Sequence, residues 1–176
     1  MKYIHKRIWA IVAMAVVMIA ACGCGYKVTY NLSGGSIPPE AKTFSVAYFP
    51  NNAPMVAPIL SSTLTDELTQ RFASRTRLVQ VPEGGDFAFE GEIVGYTSVT
   101  SSVSSGEYAL HNRLTITVKV TFTNVIDEKA SFKARSFSAY ADYDSTKLLN
   151  EVESTLIPEI VEQLVTDIFM AAASNW

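Results

Sequence analysis

Few residues in this chain combine a reactive side chain with a spacing that chemistry could use. Its two cysteines, Cys22 and Cys24, are one residue apart at the end of an apolar run, too close for a disulfide framework. A thiol there can accept an acyl group. His5 and His111 are the only histidines, which leaves little for a histidine metal site or a catalytic triad. Asp142 and Asp144 flank Tyr143, and Glu151 and Glu153 follow. Paired carboxylates can do acid–base work, but at a strand end and a helix start they read as capping and solvated groups. Glu83-Gly84-Gly85-Asp86-Phe87 reads as a turn before a strand rather than a nucleotide loop. No G-x-S-x-G, Walker-type loop or G-x-G-x-x-G occurs. The sequence therefore predicts a protein that is not an enzyme, with no cofactor and no metal. One cationic constellation remains. Lys119 lies on the polar side of a predicted strand, and Lys133 and Arg135, two apart on the next strand, are expected to share a face. If that face adjoins Lys119, the three form a basic patch able to meet phosphates. Glu90 and Glu92 compete with this reading, since cross-strand ion pairs would neutralise it.

The cysteines are introduced by a distinctive leader. Lys2, Lys6 and Arg7 precede Ile8–Ala21, an apolar run too short for the roughly 20 residues that span a bilayer. A basic segment followed by such a run is the pattern of a secretory signal. Ile19-Ala20-Ala21-Cys22 resembles the lipobox of bacterial lipoproteins, in which the cysteine is acylated and becomes the new N-terminus. Cys22 is thus the expected lipidation site; Cys24, preceded by Gly23, fits less well. Two or three acyl chains give stable anchoring, at about 0.8 kcal/mol per buried methylene. No acidic residue follows in Gly23-Cys24-Gly25-Tyr26. By resemblance to bacterial lipoproteins, this points to the periplasmic face of the outer membrane.

The leader carries three of the 14 basic residues and none of the 17 acidic ones. Without it, 11 basic residues face 17 acidic, a formal charge of −6. So acidic a body is a poor binder of nucleic acid. At 176 residues and 48% hydrophobic, the chain suits one domain with a substantial core.

The elements that must position these groups follow from periodicity. Residues 1–21 read as signal peptide, 22–42 as lipidated N-terminus and Gly/Ser/Pro-rich tether, and 43–176 as the domain. Phe44–Phe49 is β-prone. Pro58 suits a first helical turn, and Leu60, Leu64, Leu68 and Phe72 recur at helical spacing. Phe87–Thr97 alternates, with Gly91 and Gly95 marking a bulge or close packing. Ser98–Gly106 reads as a polar connection. In Arg113–Asn124, Leu114, Ile116, Val118, Val120 and Phe122 oppose a Thr-rich side, and Ser131–Tyr143 is its antiparallel partner. Asp144 or Ser145 is placed to cap a final helix whose apolar stripe runs from Ile157 to Phe169. Pro158 is expected to kink that helix or divide it. The economical solution is an α+β two-layer sandwich, helices on one face of a mostly antiparallel sheet.

Several segments resemble the lipopolysaccharide-assembly lipoprotein family, LptE. They are Gly35-Ser36-Ile37-Pro38-Pro39-Glu40-Ala41-Lys42-Thr43, Tyr48-Phe49-Pro50-Asn51-Asn52-Ala53, Asn112-Arg113-Leu114-Thr115-Ile116, Asp167-Ile168-Phe169 and Asn175-Trp176. The resemblance implies two helices against a four-stranded sheet. It also implies a lipoprotein that lodges partly inside the β-barrel LptD and forms with it the outer-membrane lipopolysaccharide translocon. Partners implied are the barrel, lipopolysaccharide and, through the acyl anchor, outer-membrane lipid. Family members can bind lipopolysaccharide through basic residues. Lys119, Lys133 and Arg135 are candidates for that role from face geometry alone. The competing reading is an unrelated envelope lipoprotein with a ligand-binding or hydrolytic domain. It would require a concave apolar pocket with convergent titratable groups.

Overall fold

The computed structural model describes residues 37–55, 57–101 and 111–173. The signal segment, Cys22, Cys24, residues 26–36 of the tether, residues 102–106 of the Ser-rich connection, and Asn175 and Trp176 lie outside the described residues.

Among the described residues, five strands and two α-helices follow one another: β1 (Thr43–Val46), α1 (Leu60–Arg75), β2 (Val79–Gln80), β3 (Phe87–Ser101), β4 (His111–Asn124), β5 (Phe132–Asp144) and α2 (Leu149–Ala173), with a single 3-10 turn at Glu128–Ala130 between β4 and β5. The sheet order is β2-β1-β3-β4-β5. β1 pairs in parallel with both β2 and β3, while β3, β4 and β5 form an antiparallel meander. The expected two-layer α+β sandwich is therefore present, with a five-stranded mixed sheet rather than a four-stranded one. The additional strand, β2, is two residues long. It forms because Val79 and Val81 donate to the carbonyls of Lys42 and Phe44, at 2.8 Å each. Two residues are too few to show a periodicity.

Alternation decides which side of each long strand enters the core. Leu114, Ile116, Val118, Val120 and Phe122 are fully buried, as are Ile93 and, nearly so, Phe87 and Phe89. On α1, Leu60, Leu64, Leu68 and Phe72 supply the opposing stripe; on α2, Ile157, Ile160, Val161, Leu164, Val165 and Ile168 do so. Phe72 stands at the centre, 5.8 Å from Phe44, 4.6 Å from Phe89 and 5.0 Å from Phe169 between ring centroids. Fully burying such a side chain is worth about 1.5–3 kcal/mol.

Local chemistry moves several boundaries. β3 continues to Ser101, so Ser98–Ser101 is strand, not connection, held by pairing to Leu114, Arg113, Asn112 and His111. α1 starts at Leu60, with Pro58 in the turn before it; Ser62 Oγ and Thr63 Oγ1 both donate to the Ile59 carbonyl. α2 starts at Leu149. Asp144 caps a turn instead, accepting from Thr146 N at 2.8 Å and Thr146 Oγ1 at 2.7 Å. Pro158 does not divide α2, which is one helix of 25 residues. It sits on the exposed side, and burial of the stripe on both sides of it keeps the two halves on one core.

The last residues of the expected tether belong to the folded body. Ala41 is fully buried, and Arg77 Nη2 donates to the carbonyls of Ile37 and Pro38, at 3.1 and 2.5 Å. The reason lies in the Glu83–Asp86 turn, which crosses β1 between β2 and β3. Asp86 Oδ2 accepts from Lys42 N (2.8 Å), Thr43 N (3.0 Å) and Thr43 Oγ1 (3.0 Å). Those hydrogen bonds, backbone ones foremost, hold its carboxyl below the usual carboxylate range. Gly84 takes φ 67°, open to glycine at little cost. At Gly85 a Cβ would meet the Phe44 carbonyl carbon at 2.6 Å. The turn thus straps β1 to its neighbours.

Candidate docking surface

With both helices on one side, the other face of the sheet is open. β4 gives it Arg113, Thr115, Thr117, Lys119, Thr121 and Thr123; from β5 come Ser136, Ser138, Tyr140 and Asp142, and from β3, Glu90, Glu92 and Thr97. Side chains opposite one another in the register share a face, and these residues alternate with the buried set. The polarity of the Thr-rich side is therefore not a surface accident but one continuous hydroxyl-bearing plane. Thr117 Oγ1 and Ser138 Oγ lie 3.0 Å apart across β4 and β5.

Register settles the arrangement of the three candidate cations. Lys119 lies directly opposite Glu92 on β3 and Ser136 on β5. Glu92 Oε2 accepts from Asn52 Nδ2 at 2.7 Å. Arg135, in contrast, lies opposite Val120, a core residue. Its guanidinium carbon stands 5.6 and 5.1 Å from the ring centroids of Phe132 and Phe137. It is thus on the helix-side face, at the sheet edge. The register between β4 and β5 shifts between Val120 and Phe122, and Ala134 takes φ 49° there, its N–H donating to Thr121 Oγ1 at 3.1 Å. This bulge adds a residue and breaks the two-residue alternation, so Lys133 and Arg135 do not share a face. Lys133, alternating with core-side Phe132, stands with Lys119 on the open side. The sheet therefore joins two of the three cations, with Glu90 and Glu92 beside them.

The strongest ionic feature of the open face is one that periodicity did not single out. Arg113 Nε and Nη2 grip the two oxygens of Asp142, at 2.7 and 2.8 Å, and the guanidinium carbon lies 3.7 Å from the Tyr140 ring centroid. The forked hydrogen bond pushes Arg113 up and holds Asp142 below its ordinary range. Only the register, Arg113 opposite Asp142, reveals the pair.

The other candidate groups have structural partners. Glu153 Oε1 accepts from the Tyr96 hydroxyl at 2.5 Å, beneath the start of α2. Burial, then that hydrogen bond, pushes the Tyr96 phenol up. His111 is exposed, opposite Asp144. Among the described residues, no group of three His, Cys, Asp or Glu is placed to hold a metal ion. A depression of about 630 Å³ lies on the open face between Tyr48 and the strap, floored by Ser45, Ala88 and Thr123. Its carboxylates, Glu83 and Glu90, come from the strap and from β3, and it is not an enclosed apolar pocket.

The comparisons with known proteins now bear on this surface. Residues 41–172 match the model of the LptE lipopolysaccharide-assembly family. This chain belongs to that family. The match starts at the buried Ala41 and ends one residue before the end of α2, so it covers all five strands, α1 and all but the last residue of α2. No curated protein matches. Among solved structures, the chain is similar to a minor lipoprotein from Acinetobacter baumannii, at 16% identity over 75% of this chain and 94% of that one, TM-score 0.43. It is also similar to protein XCC0632 from Xanthomonas campestris, at 11% identity over 76% and 87%, TM-score 0.48. Lipoprotein GNA1162 from Neisseria meningitidis is 12% identical over 72% and 97%, TM-score 0.39. These distant likenesses carry no argument about function.

Proposed function

We propose that the chain is an outer-membrane lipoprotein, acylated at Cys22, that acts as a non-catalytic subunit of the lipopolysaccharide translocon. It assembles with an LptD-type β-barrel and plugs it from the periplasmic side. The observation that carries the reading is the family match over residues 41–172. The open sheet face supports it. A barrel lumen is polar, and a plug needs a rigid body with a broad polar surface. The Thr/Ser plane of β4 and β5 has that character, and its small hydroxyls can exchange hydrogen bonds between water and partner without leaving buried charges unpaired. Lys119 and Lys133 on this face, with Arg135 at the edge, are the proposed contacts for lipopolysaccharide phosphates.

The test is an affinity pull-down of the full-length lipidated chain from native outer membrane. A large barrel protein should co-purify, and depletion of the chain should stop lipopolysaccharide from reaching the surface. Recovery of free monomer alone, with export intact, overturns the reading. Cys22→Ala should abolish acyl labelling; a labelled product from that variant moves the anchor to Cys24.

A further inference from the structure

The strand register gathers three connections at one end of the sheet. Thr43 stands opposite Val79, Phe44 opposite Phe87, Phe87 opposite Asn124 and Phe122 opposite Phe132. The segment leading into β1, the Glu83–Asp86 strap and the β4–β5 turn therefore lie together, while Ser101, His111 and Asp144 mark the opposite end. The β4–β5 turn holds aliphatic side chains in solvent, with Val125 66% and Ile126 40% exposed. Its backbone is fixed in that state. Val125 N donates to the Asp86 carbonyl at 3.0 Å, and the Oδ1 of buried Asn124 accepts from Ile126 N and Asp127 N at 2.9 and 3.0 Å. Asp127 Oδ1 in turn accepts from Lys129 N at 3.1 Å.

Charge distinguishes the same end. The segments there, residues 37–42, 75–78, 81–86 and 125–135, carry Lys42, Arg75, Arg77, Lys129, Lys133 and Arg135, six of the ten Lys and Arg among the described residues. They carry Glu40, Glu83, Asp86, Asp127 and Glu128, only five of the sixteen Asp and Glu. Six against five leaves +1 at this end, and four against eleven leaves −7 on the rest of the described body. An anionic surface thus attracts this end and repels the remainder. An aliphatic tip among cations fits the head-group layer of an anionic bilayer, where apolar side chains enter the acyl boundary and Lys reaches back to phosphate. The chain that precedes Ile37 also enters the body here. Resting on the reading that Cys22 is acylated, we propose that this end is the membrane-contacting foot of the body. Val125 and Ile126 enter the head-group layer of the leaflet that holds the anchor, and Lys42 and Lys129 meet the phosphates of anionic phospholipid. Lys133 borders the open face as well, so the test uses Lys42 and Lys129.

The experiment is site-directed fluorescence of the full-length acylated chain in vesicles. In a Cys24→Ser background, Ile126→Cys or Val99→Cys carries a nitrobenzoxadiazole probe, each protein checked for native circular dichroism. Val99 is 58% exposed and lies near the opposite end. In vesicles of phosphatidylcholine with phosphatidylglycerol, emission at 126 should shift to the blue and brighten about twofold, as for a group entering the interface. Emission at 99 should stay as in water. Lys42→Gln with Lys129→Gln should weaken the contact about thirtyfold, from roughly fivefold per lysine near an anionic surface. Salt at about 1 M, where the screening length is about 3 Å, should act in the same direction. Equal shifts at 126 and 99, or an aqueous probe at 126 on a chain that floats with the vesicles, overturn the proposal and leave acylation standing. A chain that does not float overturns both. A shift at 126 as large in phosphatidylcholine alone also overturns it, because the contact then ignores charge. So does a shift that appears only when lipopolysaccharide is added, which would assign the turn to the ligand rather than the bilayer.

Discussion

At the scale of single residues, the glycines under tight contacts make the sharpest demands. A Cβ on Gly91 would meet the carbonyl oxygen of Lys119, and the Phe49 ring at 2.6 Å. Phe49 is fully buried there, so it cannot swing away without opening the core. Gly91→Ala should lower stability by about 1–3 kcal/mol, the usual cost of overpacking, read as a lower urea midpoint with native secondary structure retained. The carboxylates give a pH prediction. Asp86, Asp142 and Asp144 are all held below the ordinary range, the first by the N–H of Lys42, the second by Arg113 and the third by the N–H of Thr146. A depressed folded pKa means the stabilisation is fully present above the unfolded value of about 3.9 and is lost as pH falls through the folded one. The urea midpoint should therefore stay level from neutrality down to about pH 5 and then fall. Asp86→Asn should lower the neutral midpoint and flatten the acid limb; an unchanged acid slope would remove Asp86 from this account.

At the scale of elements, the reading from sequence succeeded where burial imposes a period and failed where hydrogen bonds alone decide. The leucine stripe of α1 and the alternation of β4 were legible because each repeats over many residues and both faces meet different solvents. β2 was not, because two residues paired through backbone groups leave no pattern. The bulge at Ala134 was invisible for the same reason, and it alone separates Arg135 from Lys133. Pro158 illustrates propensity overridden by packing. Its ring removes one backbone hydrogen bond from α2, yet the helix stays whole because Ile157, Ile160 and Val161 are buried around it. Interior proline is disfavoured by about 3 kcal/mol relative to alanine. Pro158→Ala should thus raise the melting temperature, and a lowered one would mean that the packing of α2 depends on the proline. Tyr96→Phe removes the hydroxyl that bonds Glu153. It should cost about 1 kcal/mol and increase hydrogen exchange at the start of α2 while leaving α1 protected.

At the scale of the molecule, the two faces divide the work: one builds the core, the other remains available. Thr117 and Thr121 lie on the open plane and have no part in the core. Thr117→Trp should therefore leave the urea midpoint within about 0.5 kcal/mol, as surface changes usually do, yet sharply reduce co-purification of the barrel. An undiminished complex would place the barrel contact on another face. Changing Lys119 and Lys133 together to Gln should weaken lipopolysaccharide binding and reduce its salt sensitivity, since exposed charges are screened within about 10 Å at 0.1 M salt.

The amino-acid sequence alone determined the class of the fold, the core-facing sides of α1, β4 and α2, and the resemblance to the family that residues 41–172 match. Those properties are local or periodic: a leader, an apolar stripe and an alternation are written in consecutive residues. Only the tertiary structure decided which charges stand together. Arg113 meets Asp142, Glu92 faces Lys119, and Arg135 turns to the aromatic edge because strand register and a one-residue bulge fix them. Register arises from hydrogen bonds between segments far apart in the chain, and no local pattern encodes it.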